Sequence, residues 1–200
     1  MRLLKHFSRR VTNGNRQLSL DKFKLQCYKE SMKIELKKLK VFESGSEETY
    51  CFTADIWIDG RYQGSVRNDG QGGPHIISPP SIEAQMNAWG KTLPRYDLGI
   101  PSHEDPSKPM MVEQDAESLI NDIVEKHLQS KDLKKLMSKH IVFTRRGERG
   151  VFQVRPIAKP SDVLSRTVNI ETMREKHNSD FILNILPFEE ALSIYIEQGK

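Results

Sequence analysis

Apolar and polar residues alternate most cleanly from Thr49 to Gly60, TYCFTADIWIDG. Tyr50, Phe52, Ala54, Ile56 and Ile58 fall on one side of an extended chain. Cys51, Thr53, Asp55, Trp57 and Asp59 fall on the other. This two-residue period predicts a strand with one face in a core. Asp59-Gly60 suits a hairpin turn that needs positive φ, and RYQGSVRN (61–68) returns as the paired strand. Upstream, MKIELKKLKVF alternates through Ile34 and Leu36, then shifts phase before Leu39 and Val41, which predicts a bulge or bend. Residues 33–68 therefore read as a three-stranded antiparallel meander.

The pattern then changes to a helical period. In SPPSIEAQMNAWGKTL (78–93), Ile82, Met86, Trp89 and Leu93 form one stripe, with Ser78 as a cap and prolines in the first turn. PRYDLGIPSHEDPSKP (94–109) reads as a proline-rich loop that is functional or mobile. A long helix is expected over Met111–Ser130, with acids early and Lys126 late, as the helix dipole favours. KDLKKLMSKH extends it or makes a short second helix. A second hairpin is expected over His140–Ile157, a short helix near Glu171–His177 and a strand over DFILNIL. A last helix opens at Pro187. Two hairpin-like blocks, with helices between and after them, predict an α+β fold. Its antiparallel sheet, meander plus second hairpin, has helices packed on one side. A doubly wound parallel sheet would instead alternate strand and helix.

Charge divides the chain. The formal net charge is +4, but residues 1–40 hold 12 Lys and Arg against 3 Asp and Glu, and the other 160 hold 19 against 24. Residues 1–31 read as a basic arm or extension, and residues 32–200 as a single domain. A basic arm neutralises phosphates without reading sequence. RRGER (145–149), at the tip of the second hairpin, adds a second basic segment through Arg145 and Arg146. Both segments are candidate nucleic-acid contacts. No apolar run approaches the roughly 18 residues of a membrane span, and neither an apolar stretch nor a small-residue cleavage site follows the basic start MRLLKHFSRR, so a secretory signal is not expected. Cys27 and Cys51 lack His or Cys at zinc-ligand spacing, so a reduced cytoplasmic setting is expected.

VRNDGQGGPHIISPP (66–80) is the stretch whose chemistry is open. A Walker loop needs Gly-Lys-Ser/Thr, which is missing. A dinucleotide loop needs Gly-x-Gly-x-x-Gly, but His75 holds the third glycine position and Pro74 interrupts. Two readings remain. In the first, glycine simply allows the strand to reverse. Otherwise the amides around Gly70, Gly72 and Gly73 form an anion nest, with Arg67, Asn68, Asp69 and His75 beside them. These residues, with Arg145 and Arg146, are the candidate binding residues. Asp55, Asp59, Asp69 and His75 have the chemistry to hold Mg²⁺ or Mn²⁺, yet turns already explain Asp59 and Asp69. Glu35-Leu36-Lys37 with Asp21 upstream fits the acid, acid-x-lysine pattern of a nuclease, and Asp132-Leu133-Lys134 repeats the same letters. No catalytic residue, metal ligand or cofactor is assigned on this basis.

The run from Met32 to Gly73 resembles the opening of small uncharacterised proteins carried by bacteriophages and other mobile elements. The features in common are the amphipathic strand Ile34–Phe42, the acid-rich turn Ser46–Glu48, Cys51-Phe52-Thr53-Ala54, and the loop Asn68–Gly73. They cover about a fifth of the chain. The resemblance implies a setting, an accessory protein in a bacterial cytoplasm, and no activity. The expectation is a non-enzymatic, phage-type accessory protein that binds a host protein or complex, for example to inhibit a defence system. A nucleotide or nucleic-acid binder using the glycine loop and basic arm is the alternative. A metal-dependent phosphodiesterase or nuclease is the second alternative.

Overall fold

The computed structural model describes residues 32–199. The arm expected over residues 1–31, with Asp21 and Cys27, lies outside the described residues. Strands β1 (Ile34–Val41), β2 (Phe52–Ile58), β3 (Arg61–Asn68) and β4 (Ile76–Ser78) form an antiparallel sheet in that order. The expected meander is its first three strands. The phase shift in β1 is a register slip between Lys37 and Lys40, with Lys38 at φ 53. Asp59 turns the β2–β3 hairpin at φ 50. The fourth strand was not expected, because three residues before a pair of prolines show no period. It forms by pairing Ile76, Ile77 and Ser78 with Arg67, Val66 and Ser65 on the free edge of β3.

Helices α1 (Pro80–Gly90) and α2 (Ala116–Lys139) cover one face of this sheet. Phe52, Ile56, Met86, Ile120 and Val124 are fully enclosed between the layers. Gly64 lets β3 approach closely here: a Cβ on it would strike the Ser78 carbonyl and come within 3.0 Å of Pro79 Cδ. The long helix starts at Ala116 rather than Met111, because Asp115 caps it. Asp115 Oδ1 accepts from the Ser118 amide at 2.8 Å, and Ser118 Oγ accepts from the Asp115 amide at 2.9 Å.

The segment expected as a loop folds into a hairpin, β5 (Tyr96–Pro101) with β6 (Pro109–Val112), and every residue of β5 is exposed. Proline content hid it from sequence reading, but edge positions of a two-stranded ribbon tolerate proline.

KDLKKLMSKH continues α2. The helix packs Leu119, Ile120, Val124 and Leu128 on the first core and Leu133, Leu136 and Met137 on a second. That second core lies with a three-stranded antiparallel sheet, order β8-β7-β9, of β7 (Ile141–Arg145), β8 (Glu148–Val154) and β9 (Ser179–Ile182). Its helices are α3 (Pro160–Leu164), α4 (Thr167–His177) and α5 (Phe188–Gly199). The short α3 was not expected, and α4 begins before Glu171. The strand expected over DFILNIL ends at Ile182, where Asn184 turns inward. Its Oδ1 accepts from the Val142 amide at 2.7 Å, and its Nδ2 donates to the carbonyls of His140 and Met137 at 2.9 and 3.1 Å. The fold is α+β with antiparallel sheets, as the patterning indicates. No described helix is long and apolar enough to cross a membrane.

Candidate functional site

The glycine loop is held from within. Asn68, at the end of β3, is buried. Its Oδ1 accepts from the Gly70 amide at 2.8 Å and from Thr49 Oγ1 at 2.9 Å. Its Nδ2 donates to the Gly73 carbonyl at 2.9 Å and faces His75 Nδ1 at 3.0 Å. The next amides are taken as well, Gln71 by Asp69 Oδ1 at 3.2 Å and Gly72 by Thr49 Oγ1 at 3.3 Å. Gly70 adopts φ +86, and its carbonyl accepts from the amides of Glu47, Glu48 and Thr49 at 3.1, 3.0 and 3.3 Å. The converging amides therefore belong to the acid-rich turn, and the loop's own carbonyl fills them. An anion at Gly70–Gly72 would have to displace three internal hydrogen bonds.

His75 belongs to the helix side of the sheet. Its ring stands edge-on to Phe52, with centroids 5.1 Å apart. Its amide donates to Glu117 Oε2 at 3.3 Å, and Nε2 lies 3.0 Å from Asn121 Oδ1. Because Asn68 Nδ2 can only donate, Nδ1 accepts and the proton sits on Nε2, donating to Asn121. The histidine thus joins the loop to α2. Arg67 lies on the opposite face, since successive side chains alternate along β3. The structure separates these two expected flanking groups.

Arg67 belongs to an uncovered face. Strand register places Lys40, Thr53, Arg67 and Ile76 in one cross-strand row, and Lys37, Asp55, Ser65 and Ser78 in the next. Glu35, Trp57 and Tyr62 form the third row. A shallow depression of about 350 Å³ lies over the first two rows, with Lys38, Lys40 and Arg67 on its walls. Lys38 Nζ reaches Asp55 Oδ2 at 2.8 Å. That hydrogen bond, then the carboxylate's charge, raises the lysine pKa above its ordinary 10.5. Lys40 and Arg67 have no acidic partner among the described residues. Lys37 Nζ sits 3.6 Å from the Trp57 ring centroid, and Tyr62 meets Trp57 edge-on at 6.2 Å. Sequence reading found Arg67 and missed Lys38, Lys40, Trp57 and Tyr62 as its companions. The signal was present: counting outward from Asp59-Gly60 aligns Trp57 with the return strand, except for the slip after Ile56.

Arg145 and Arg146 sit on the second sheet and are not brought to the glycine loop. The Arg145 guanidinium lies 4.2 Å from the Phe152 ring centroid, and its Nη1 is 3.5 Å from Glu148 Oε2. Arg146 Nε donates to Asp180 Oδ1 at 2.9 Å. Both are committed to neighbours of their own hairpin and β9.

The acids are dispersed too. Asp55 pairs with Lys38 on the open face, while His75 lies on the covered one. Asp59 Oδ1 accepts from the Lys33 amide at 2.9 Å, and Glu35 pairs with Lys33 at 2.8 Å. Among the described residues, no group of three or more His, Cys, Asp or Glu converges as a metal site would need. Cys51 precedes β2 rather than lying in mid-strand, with Gly45 and Gly70 against it. Compared with protein-family models, curated proteins and solved structures, the chain matches none of them.

Proposed function

We propose that this protein acts by binding, and that the open face of the β1–β4 sheet is its working surface for nucleic acid. The observation that carries this reading is the row Lys40–Thr53–Arg67, whose two cations lack acidic partners among the described residues. Such cations neutralise phosphates and release counterions. The aromatic row farther along the same face, beyond the Asp55 row, adds surface suited to bases. Retention on immobilised nucleic acid that falls with rising salt, and that Lys40→Glu with Arg67→Glu abolishes, is the expected result. Retention unaffected by that double variant removes the proposed surface.

A second reading keeps the phage-type accessory protein that binds a host protein. The exposed β5–β6 hairpin favours it, because Leu98, Ile100 and Met111 present apolar surface to solvent there. Its test is a single stoichiometric partner, captured from bacterial lysate by the native chain and lost with Leu98→Ser and Ile100→Ser.

A further inference from the structure

We propose that the open face takes single-stranded nucleic acid in preference to duplex, with bases on Tyr62 and Trp57 and phosphates on Lys40 and Arg67. This rests on the nucleic-acid reading above and goes beyond it in naming the strand state.

Width argues first. Four strands about 4.8 Å apart span roughly 14 Å between the outer axes. A duplex major groove is about 12 Å wide and admits a helix or a two-stranded ribbon. The four-stranded face cannot enter it, so duplex would meet this surface by phosphates alone. A single strand has its bases free to turn onto a sheet.

The arrangement of the face argues next. The aromatic row and the Lys40 row are four residues apart along β2, about 13 Å. Between them lie Ser65 and Ser78, with hydroxyls able to meet phosphate or sugar, and Asp55, whose carboxylate is held by Lys38. Tyr62 is 57% exposed, so its side chain is accessible to solvent. Trp57 is half-buried and capped by the Lys37 ammonium, and its Nε1 has no hydrogen-bond partner. A base arriving on Trp57 displaces that ammonium, which then lies beside the incoming phosphates. An aromatic ring accepts any base in this way, since every base has a π face.

Charge excludes the nearest internal occupant. Residues 1–31 are net basic in sequence, and the open face carries the cations Lys37, Lys38, Lys40 and Arg67 against two acids, Glu35 and Asp55, each already paired with a lysine. Like charges do not complement each other, and a polyanion does.

The test uses the full chain and a labelled DNA single strand of about 12 nucleotides, a length within the range that small sheet surfaces cover. The same strand annealed to its complement is the comparison at equal salt. Binding is read by anisotropy and by tryptophan fluorescence. The expected result is single-strand binding about tenfold tighter than duplex binding. Tyr62→Ala should weaken single-strand binding by about tenfold with an unchanged salt slope, while Tyr62→Phe retains it. Arg67→Ala should instead reduce the salt slope by about 0.7. Circular dichroism verifies that each variant is folded. Equal affinity for both forms, or no effect of Tyr62→Ala, overturns this inference while leaving the nucleic-acid reading in place. Equally tight binding of heparin means bare charge attraction and overturns it too. Binding of neither DNA form removes both.

Discussion

Asn68 and His75 meet across the glycine loop, with Asn68 Nδ2 3.0 Å from His75 Nδ1. Neither side chain faces solvent. The same amide group holds the Gly70 amide, the Gly73 carbonyl and Thr49, and His75 passes the connection to Asn121 on α2. One buried side chain therefore ties the loop, the acid-rich turn and the covering helix together. The glycines make the path sterically open, and Asn68 selects it.

Replacing Asn68 with alanine should cost about 2–4 kcal/mol, because several buried polar groups lose their partner together. Urea denaturation reads this directly. Asn68→Asp should fall in between: the carboxylate still accepts from Gly70 and Thr49 but cannot donate to His75 or Gly73. A loss below about 0.5 kcal/mol for the alanine variant would mean that the network is not what shapes the loop.

Gly64→Ala tests the close approach of β3 to β4. The added methyl meets the Ser78 backbone and Pro79, which cannot swing aside as a flexible side chain would. A destabilisation of about 3 kcal/mol is expected from overpacking. The adjacent exposed substitution Gln63→Ala should leave the melting temperature nearly unchanged.

Asp55→Asn separates binding from metal-dependent catalysis. In the binding reading this change frees Lys38 from its 2.8 Å ion pair and adds net positive charge to the face. Single-strand affinity should rise about threefold at low salt, with the gain shrinking as salt screens it. A nuclease using Asp55 would instead lose its activity.

His177 gives the chain an acid-sensitive contribution. Desolvation, then the positive charges of Lys176 and Arg145, lowers its pKa below the ordinary 6.5. Its ring lies 4.9 Å from that of Phe143. The unfolded chain therefore binds this proton more readily than the folded one. Stability is unaffected above about pH 6.5 and declines as pH falls from there toward the lowered folded-state value. His177→Gln should flatten the slope of stability against pH in that interval, measured by denaturation at a series of pH values.

The β5–β6 hairpin should open before the rest of the sheet system. Arg95 and Glu113 pair across its base at 3.3 Å, and Gln114 Nε2 donates to the Pro94 carbonyl at 2.8 Å. Beyond that clamp the ribbon is exposed, and a two-stranded ribbon alone is marginal in water. Amides of 96–101 should exchange with solvent much faster than those of β2 and β3 in native-state hydrogen exchange.

Local rules made much of this chain legible. The period of two in TYCFTADIWIDG, the reversal at Asp59-Gly60 and the phase slip in β1 are properties of neighbouring residues. So are the apolar stripes of α1 and α2. Each survives because tertiary packing asks for the same face that the pattern offers. The exposed hairpin and the short α3 were not legible, since neither buries a periodic stripe.

The candidate site divides along the same line. Sequence alone determined which residue types were at hand: three glycines in a reversing segment, Arg67, His75, and lysines spread along β1. Tertiary structure decided how they combine. The strand pleat sent Arg67 to the open face, while contacts with Asn68 and Asn121 hold His75 on the covered one. Long-range pairing between residues far apart then set Lys40 beside Thr53 and Thr53 beside Arg67. The physical reason is that a side chain's face follows from its own strand, while its neighbours across the sheet follow from register. Register is set by turns, bulges and the packed core together.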